Sequence, residues 1–181
     1  RGLGLKENRV RVIKATTGGA FGGKDDISVE MHIAILVLAT GRPVRLVLDR
    51  EESIQSQTTR HAIEIWTKWG ATKEGKLCAV EGKVYGNTGA YAGLGPFVVK
   101  KCGIHLCGPY YCPNVDVRSW SVYTNTPLAS AMRGFGVVQA AVAHEAQIDS
   151  LAEKLGIDPL NFRLMNGLEN GLSTATGQVF D

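Results

Sequence analysis

Thr17-Gly18-Gly19-Ala20-Phe21-Gly22-Gly23-Lys24-Asp25-Asp26 is the stretch on which the fold assignment turns. It carries the letters G-x-x-x-x-G-K of a phosphate-cradling loop, whose backbone N–H groups converge on an oxyanion. Val10–Ala15 before it reads as a short β-rich run. Ser28–Thr40 after it reads as a helix, with Ser28 as N-cap and Gly41 as stop. Strand, loop and helix is the order such a loop requires, and Val44–Asp49 imitates the strand ending in an Asp that helps hold magnesium. One position disagrees. The residue after Lys24 has to offer a hydroxyl to the metal, and here it is Asp25, then Asp26, whose carboxylates repel triphosphate oxygens. Two further readings stay open. A tight structural turn accounts for the glycines but not for Phe21 among them. A backbone cradle for an oxyanion or oxo group would use Phe21 as an apolar wall and Asp25 or Asp26 as a polar contact at its mouth.

Outward from the loop, strands and helices do not alternate strictly. The Ser28–Thr40 helix is apolar on most sides, which predicts that it is largely buried. Pro43–Leu48 reads as a strand and Arg50–Gln57 as a short helix, with Asp49-Arg50-Glu51-Glu52 its solvated, acid-rich start. Ile63, Ile65, Trp66 and Trp69 mark a strand, Lys73–Lys76 a Gly turn, and Leu77–Tyr85 the partner strand of a hairpin. Gly86–Asn114 is rich in Gly and Pro and reads as a long irregular loop of the kind that carries function. Val115–Tyr123 is a further strand. Gly136–Leu155 has a broad apolar helical face ending at Gly156, and Asp158-Pro159 is an N-cap followed by proline at the first helical position. The order predicts an α+β fold, a layered sheet with packed helices, formed as a single unit over residues 1–181.

The chain has 181 residues, 44% hydrophobic and 20% charged, a composition that excludes a disordered tail. A net charge of +3 is too weak for nucleic acid or an anionic membrane as partner. The apolar run Ile33–Ala39 falls far short of the roughly 20 residues that cross a bilayer. With no secretory signal at Arg1, a cytoplasmic location is expected. Both ends look cut from something longer. Cys78, Cys102, Cys107 and Cys112 match no common zinc or iron–sulfur spacing and read as thiols packed like small hydrophobes. His144-Glu145-Ala146-Gln147-Ile148 begins like a zinc-protease helix but lacks the second His, leaving His144 at the surface or the core edge. His61, beside Arg60, reads as a hydrogen-bonded structural histidine.

A second constellation, Met132-Arg133-Gly134-Phe135-Gly136, sets Arg and Phe in a glycine-flanked turn at the start of the long helix. Backbone amides there favour an anion and Arg133 adds a fork of donors; alternatively Arg133 caps a carbonyl and Phe135 packs in the core. The two motifs, together with Thr40-Gly41-Arg42-Pro43-Val44, Arg60-His61, Asn87-Thr88-Gly89-Ala90-Tyr91, Asn125-Thr126-Pro127 and Leu155-Gly156-Ile157-Asp158-Pro159, occur in this order in the xanthine dehydrogenase/aldehyde oxidase family. The chain resembles that family over nearly its whole length.

The resemblance implies the first molybdenum cofactor-binding region of a large molybdenum subunit. Such enzymes bind molybdopterin, in bacteria often as the cytosine dinucleotide, and hydroxylate aromatic heterocycles or aldehydes with oxygen from water. Iron–sulfur clusters and FAD on other domains or subunits take the electrons. Phe21 and Gly22 match the loop approaching the metal end of the cofactor, Arg133 the cofactor arginine, and Phe135 the aromatic wall of the substrate pocket. Asp25 stands where purine hydroxylases carry a substrate-binding Glu, and Lys101 where they carry an Arg. Lys keeps the charge but loses the bidentate fork, so both departures weaken a purine assignment. The family's Gln-containing cofactor segment is expected before Arg1 and its catalytic Glu beyond Asp181, which predicts that this stretch is inactive alone.

Overall fold

β-Branched and aromatic residues at alternating positions build a three-stranded sheet. In the computed structural model, which describes residues 2–181, the strands are β1 (Ile63–Ala71), β2 (Leu77–Gly89) and β3 (Val115–Tyr123), in the order β1-β2-β3. β1 and β2 pair antiparallel, Ile63 opposite Gly86, around the predicted turn, in which Thr72 N–H donates to the Lys76 carbonyl at 2.8 Å. β2 and β3 pair parallel, so the chain between them has to cross over. Along β2, Leu77, Val80 and Val84 point inward and are buried, while Glu81, Lys83 and Tyr85 point outward.

The helices are α1 (Glu30–Thr40), α2 (Arg50–Ser56), α3 (Gly95–Ile104), α4 (Val137–Leu155) and α5 (Pro159–Asn166). α3 is the crossover and lies on β2 and β3; α4 lies on β1 and α3, and α5 on α4. This bears out the α+β expectation of a sheet layered with helices. Gly82 and Gly86 let the layers close up, since a Cβ there would collide with Leu106 and Val99. Trp69, Leu77, Val80, Ile148, Ala152 and Phe162 form one core cluster; Val84, Val99, Cys102, Leu106 and Ala140 form the next. Cys102, Cys107 and Cys112 are buried, and burial pushes the thiols up, Cys102 to about 11 and Cys107 to about 12. They pack as small hydrophobes, as the sequence predicts, whereas Cys78, grouped with them there, is only half-buried. Among the described residues no helix is long and apolar enough to cross a membrane.

Five local expectations need correction. Gly86–Asn114 is not one irregular loop: β2 runs on to Gly89, and α3 starts at Gly95 with Pro96 in its first turn, where a missing N–H does no harm. Val10–Ala15 and Pro43–Leu48 are not strands, because no neighbouring strand takes up their backbone groups. α1 has no buried residue, and Ile35 and Leu38 are more than half exposed. Its N-cap is Val29 rather than Ser28, while Gly41 stops it as expected, at φ 64°.

Asn166 ties the far end of the molecule together. Its Oδ1 accepts from Leu77 N–H at 2.8 Å, and its Nδ2 donates to the Gly75 and Phe162 carbonyls at 2.8 and 2.9 Å. Hairpin turn and α5 are thereby fixed to each other, and α5 packs on α4.

Candidate functional site

The two glycine motifs meet in space. Ala129 is carried to the end of β2 by its N–H bond to the Thr88 carbonyl, and Ser130 N–H donates to the Thr59 carbonyl at 3.0 Å. The chain then turns through Met132–Gly136 into α4. Gly136, at φ 95°, packs against α3, where a Cβ would strike the Val98 carbonyl and lie 3.0 Å from Cys102 N. This contact sets the second motif beside Lys101, whose Nζ stands 5.9 Å from the Phe135 ring centroid.

The first motif folds as two overlapping tight turns, Gly23 N–H to the Ala20 carbonyl and Asp25 N–H to the Gly22 carbonyl. It docks on the second by one backbone bond, Arg133 N–H to the Phe21 carbonyl at 2.8 Å. Gly22, at φ 104°, makes the approach possible. A Cβ on it would lie 2.6 Å from the Ala131 carbonyl carbon and 2.8 Å from Met132 N, and nearer still to the Ala131 oxygen. Phe21 and Phe135 are the two non-glycine residues with positive φ among the described residues, at 54° and 50°. Such strain persists where surrounding structure over-determines it, and it gathers at functional sites. The Phe21 ring is 63% exposed, 5.8 Å from the Arg133 guanidinium carbon.

The structure thus brings Phe21, Gly22 and Arg133 together, with Phe135 and Lys101 as a second cation–aromatic pair. The Arg133 side chain forms no hydrogen bond among the described residues. Its donors stay available to an external acceptor. Asp25 is exposed, and its carboxylate makes neither a hydrogen bond nor an ion pair with Lys101. The phosphate-loop frame is missing: among the described residues no strand precedes Gly18, and α1 begins only at Glu30. With Asp25 in the hydroxyl position, the nucleotide reading is not favoured.

His61 and His144 depart from or refine their expectations. His61 is 3% exposed, and among the described residues neither ring nitrogen has a hydrogen-bond partner, so it is not the hydrogen-bonded histidine expected. Burial lowers its pKa. His144 is buried at the core edge against Tyr110, and burial holds its pKa down as well, with Glu145 opposing. Sequence reasoning gave Arg60 no role at the site. Its Nη2 donates to the Arg133 carbonyl at 2.8 Å across 73 residues of chain, and the motif Arg60-His61 was the one signal for it.

This joined pair of glycine turns, with the Arg133 donors beside it, suits the binding of an anionic group, and the likeness to known proteins says which family carries it. Residues 1–167 match the family described as the molybdopterin cofactor-binding domain, and the chain belongs to that family. The chain is 49% identical over 179 residues to the nicotinate dehydrogenase large molybdopterin subunit of Eubacterium barkeri, covering 99% of this chain and 42% of that protein. It is 34% identical over 177 residues to the aldehyde oxidoreductase of Megalodesulfovibrio gigas, covering 98% of this chain and 20% of that protein. Among solved structures it resembles the aldehyde oxidoreductase from Desulfovibrio gigas, with a TM-score of 0.86 at 35% identity over 89% of this chain and 18% of that one. The chain therefore spans less than half the length of these relatives.

Proposed function

We propose that this chain is the cofactor-cradling part of a molybdenum-dependent hydroxylase that oxidises an aromatic heterocycle or an aldehyde with oxygen from water. The observation that carries the reading is the joint between the motifs: the Phe21–Arg133 backbone bond, with Gly22 pressed on Ala131 and Met132. The residues suit a molybdopterin. Gly22 lets the two turns meet where a side chain would collide with the Ala131 backbone, and Arg133 offers free guanidinium donors to an anionic group.

In this reading Phe21 and Gly22 line the metal end of the cofactor and Arg133 grips it. The cofactor, when bound, supplies the redox centre that takes the two electrons of the oxidation. Phe135 walls the substrate pocket, Lys101 holds an anionic edge of the substrate over that ring, and Asp25 offers a polar contact at the mouth. A lysine in that position, and a relative named for nicotinate, support an aromatic heterocycle bearing a carboxylate over a purine. The cofactor form would be the cytosine dinucleotide. The rest of the molybdenum subunit would bring the catalytic Glu, and iron–sulfur and FAD partners would carry the electrons away.

The test is the complete subunit, purified with its partners and analysed for molybdenum, for released pterin and for turnover of nicotinate, purines and aldehydes. Near one molybdenum and one pterin per subunit, with turnover of a heterocyclic acid, is expected. Saturable micromolar binding of ATP with magnesium and no pterin would overturn the reading.

A further inference from the structure

Arg60 directs its guanidinium at a single backbone carbonyl. Its Nη2 donates to the Arg133 carbonyl at 2.8 Å, while its Nη1 is buried with no hydrogen-bond partner among the described residues. A half-satisfied guanidinium with a buried nitrogen costs stability, so its role has to be sought in geometry rather than in cohesion. The surroundings repeat the pattern. His61 at both ring nitrogens, Ser130 at Oγ and Gln139 at Oε1 are also buried without partners, although Gln139 Nε2 donates to the His61 carbonyl at 3.1 Å.

Arg133 is consequently pinned on both sides of its residue. Its N–H goes to the Phe21 carbonyl and its carbonyl receives the Arg60 guanidinium. A charge-assisted bond is roughly twice as strong as a neutral one. It acts two residues before Phe135, whose φ of 50° needs support from outside the loop.

We propose that Arg60 is a positioning residue: through the Arg133 carbonyl it fixes the turn that presents Arg133 to the cofactor and Phe135 to the substrate pocket. The proposal rests on the cofactor reading above. Arg60 itself touches neither cofactor nor substrate; it supplies the supporting contact that holds the presenting loop in place.

The experiment compares wild type, Arg60→Met and Arg60→Lys in the complete subunit with its partners. Arg60→Met is expected to lower molybdenum and pterin per subunit at least tenfold. Hydrogen exchange should accelerate at least tenfold over residues 131–136, while the middle of α4 and the assembly with partners stay unchanged. Arg60→Lys, which keeps one charged donor, should restore part of both. Wild-type cofactor content and exchange in Arg60→Met would overturn the proposal. So would a lysine variant indistinguishable from methionine. If Arg60→Met does not fold, Arg60→Lys decides alone: faster exchange confined to residues 131–136 supports the clamp, and unchanged exchange there overturns it. A wild-type subunit without pterin would instead overturn the cofactor reading, which the exchange comparison does not depend on.

Discussion

Gly22→Ala places a single methyl group in the joint between the two motifs. At φ 104° the backbone of any L-residue is strained, by about 1–3 kcal/mol. The added Cβ would also lie 2.6 Å from the Ala131 carbonyl carbon, inside the 3.0 Å that Cβ contacts respect, and the obstacle is backbone, which does not swing aside. The loops therefore have to part, and the Phe21–Arg133 bond lengthens or breaks at a cost of roughly 1 kcal/mol. Together these amount to roughly 2–4 kcal/mol against the joined arrangement, or about thirty- to a thousandfold in its equilibrium. If the joined arrangement is the form that binds cofactor, apparent affinity falls with its population. The assay is molybdenum and pterin content of the complete subunit, with Gly177→Ala as control, since Gly177 has a positive φ of 85° but nothing within 4 Å of its Cβ position. Gly22→Ala should lose most of its cofactor and Gly177→Ala should keep it. Full cofactor content in Gly22→Ala, with exchange at Arg133 N–H unchanged, would refute the reasoning.

Lys101→Met should lower the specificity constant for an anionic heterocycle ten- to a hundredfold, as expected for one charged hydrogen bond, while pterin content stays at the wild-type level. Equal kinetics on charged and neutral substrates would remove Lys101 from the pocket. Asn166→Ala leaves the Leu77 N–H and the Gly75 carbonyl without their partner and should cost about 2–4 kcal/mol in urea unfolding; a loss below about 0.5 kcal/mol would show that the knot is not needed. Burial lowers the pKa of both His61 and His144 from 6.5, so the unfolded chain takes up protons that the folded chain refuses. Stability should hold above about pH 7 and fall as pH drops through 6.5, a window above that of Glu145, whose lowered carboxylate gives way only below 4.5. Urea midpoints that do not move between about pH 7.5 and 5.5 would contradict this, and the double replacement His61→Gln, His144→Gln should flatten the slope.

The parts of the fold that were legible are those where local signals and tertiary partners agree. Val80 and Val84 alternate with outward residues in β2, Trp69 lies opposite Val80 in β1, and Asp158 caps α5 by accepting from Asn161 N–H at 2.9 Å, as Asp-Pro predicts. Val12 and Ile13 have strand propensity but no partner, so the propensity has nothing to act on. α3 was hidden because its first turn reads Gly95-Pro96, a loop signal, and its helical character follows from the crossover that parallel pairing imposes. At the site, glycine density exposed Phe21, Gly22, Arg133 and Phe135. The Arg60 contact joins residues too distant in the chain for any local pattern to record it.

Within this chain taken by itself, no described residue before His61 is buried, so what carries Phe21 and Gly22 lies outside the core formed by these residues. The two halves of the cradle therefore differ in thermodynamic character. One is anchored to a packed interior through the buried Ala131 and Gly136; the other is held by edge contacts and can detach in a local event. A ligand bridging both halves acts as a staple, stabilising the peripheral half by mass action in proportion to its saturation. The contrast between loaded and empty protein should then be concentrated ahead of His61, where protease sensitivity reports occupancy while the sheet registers almost nothing.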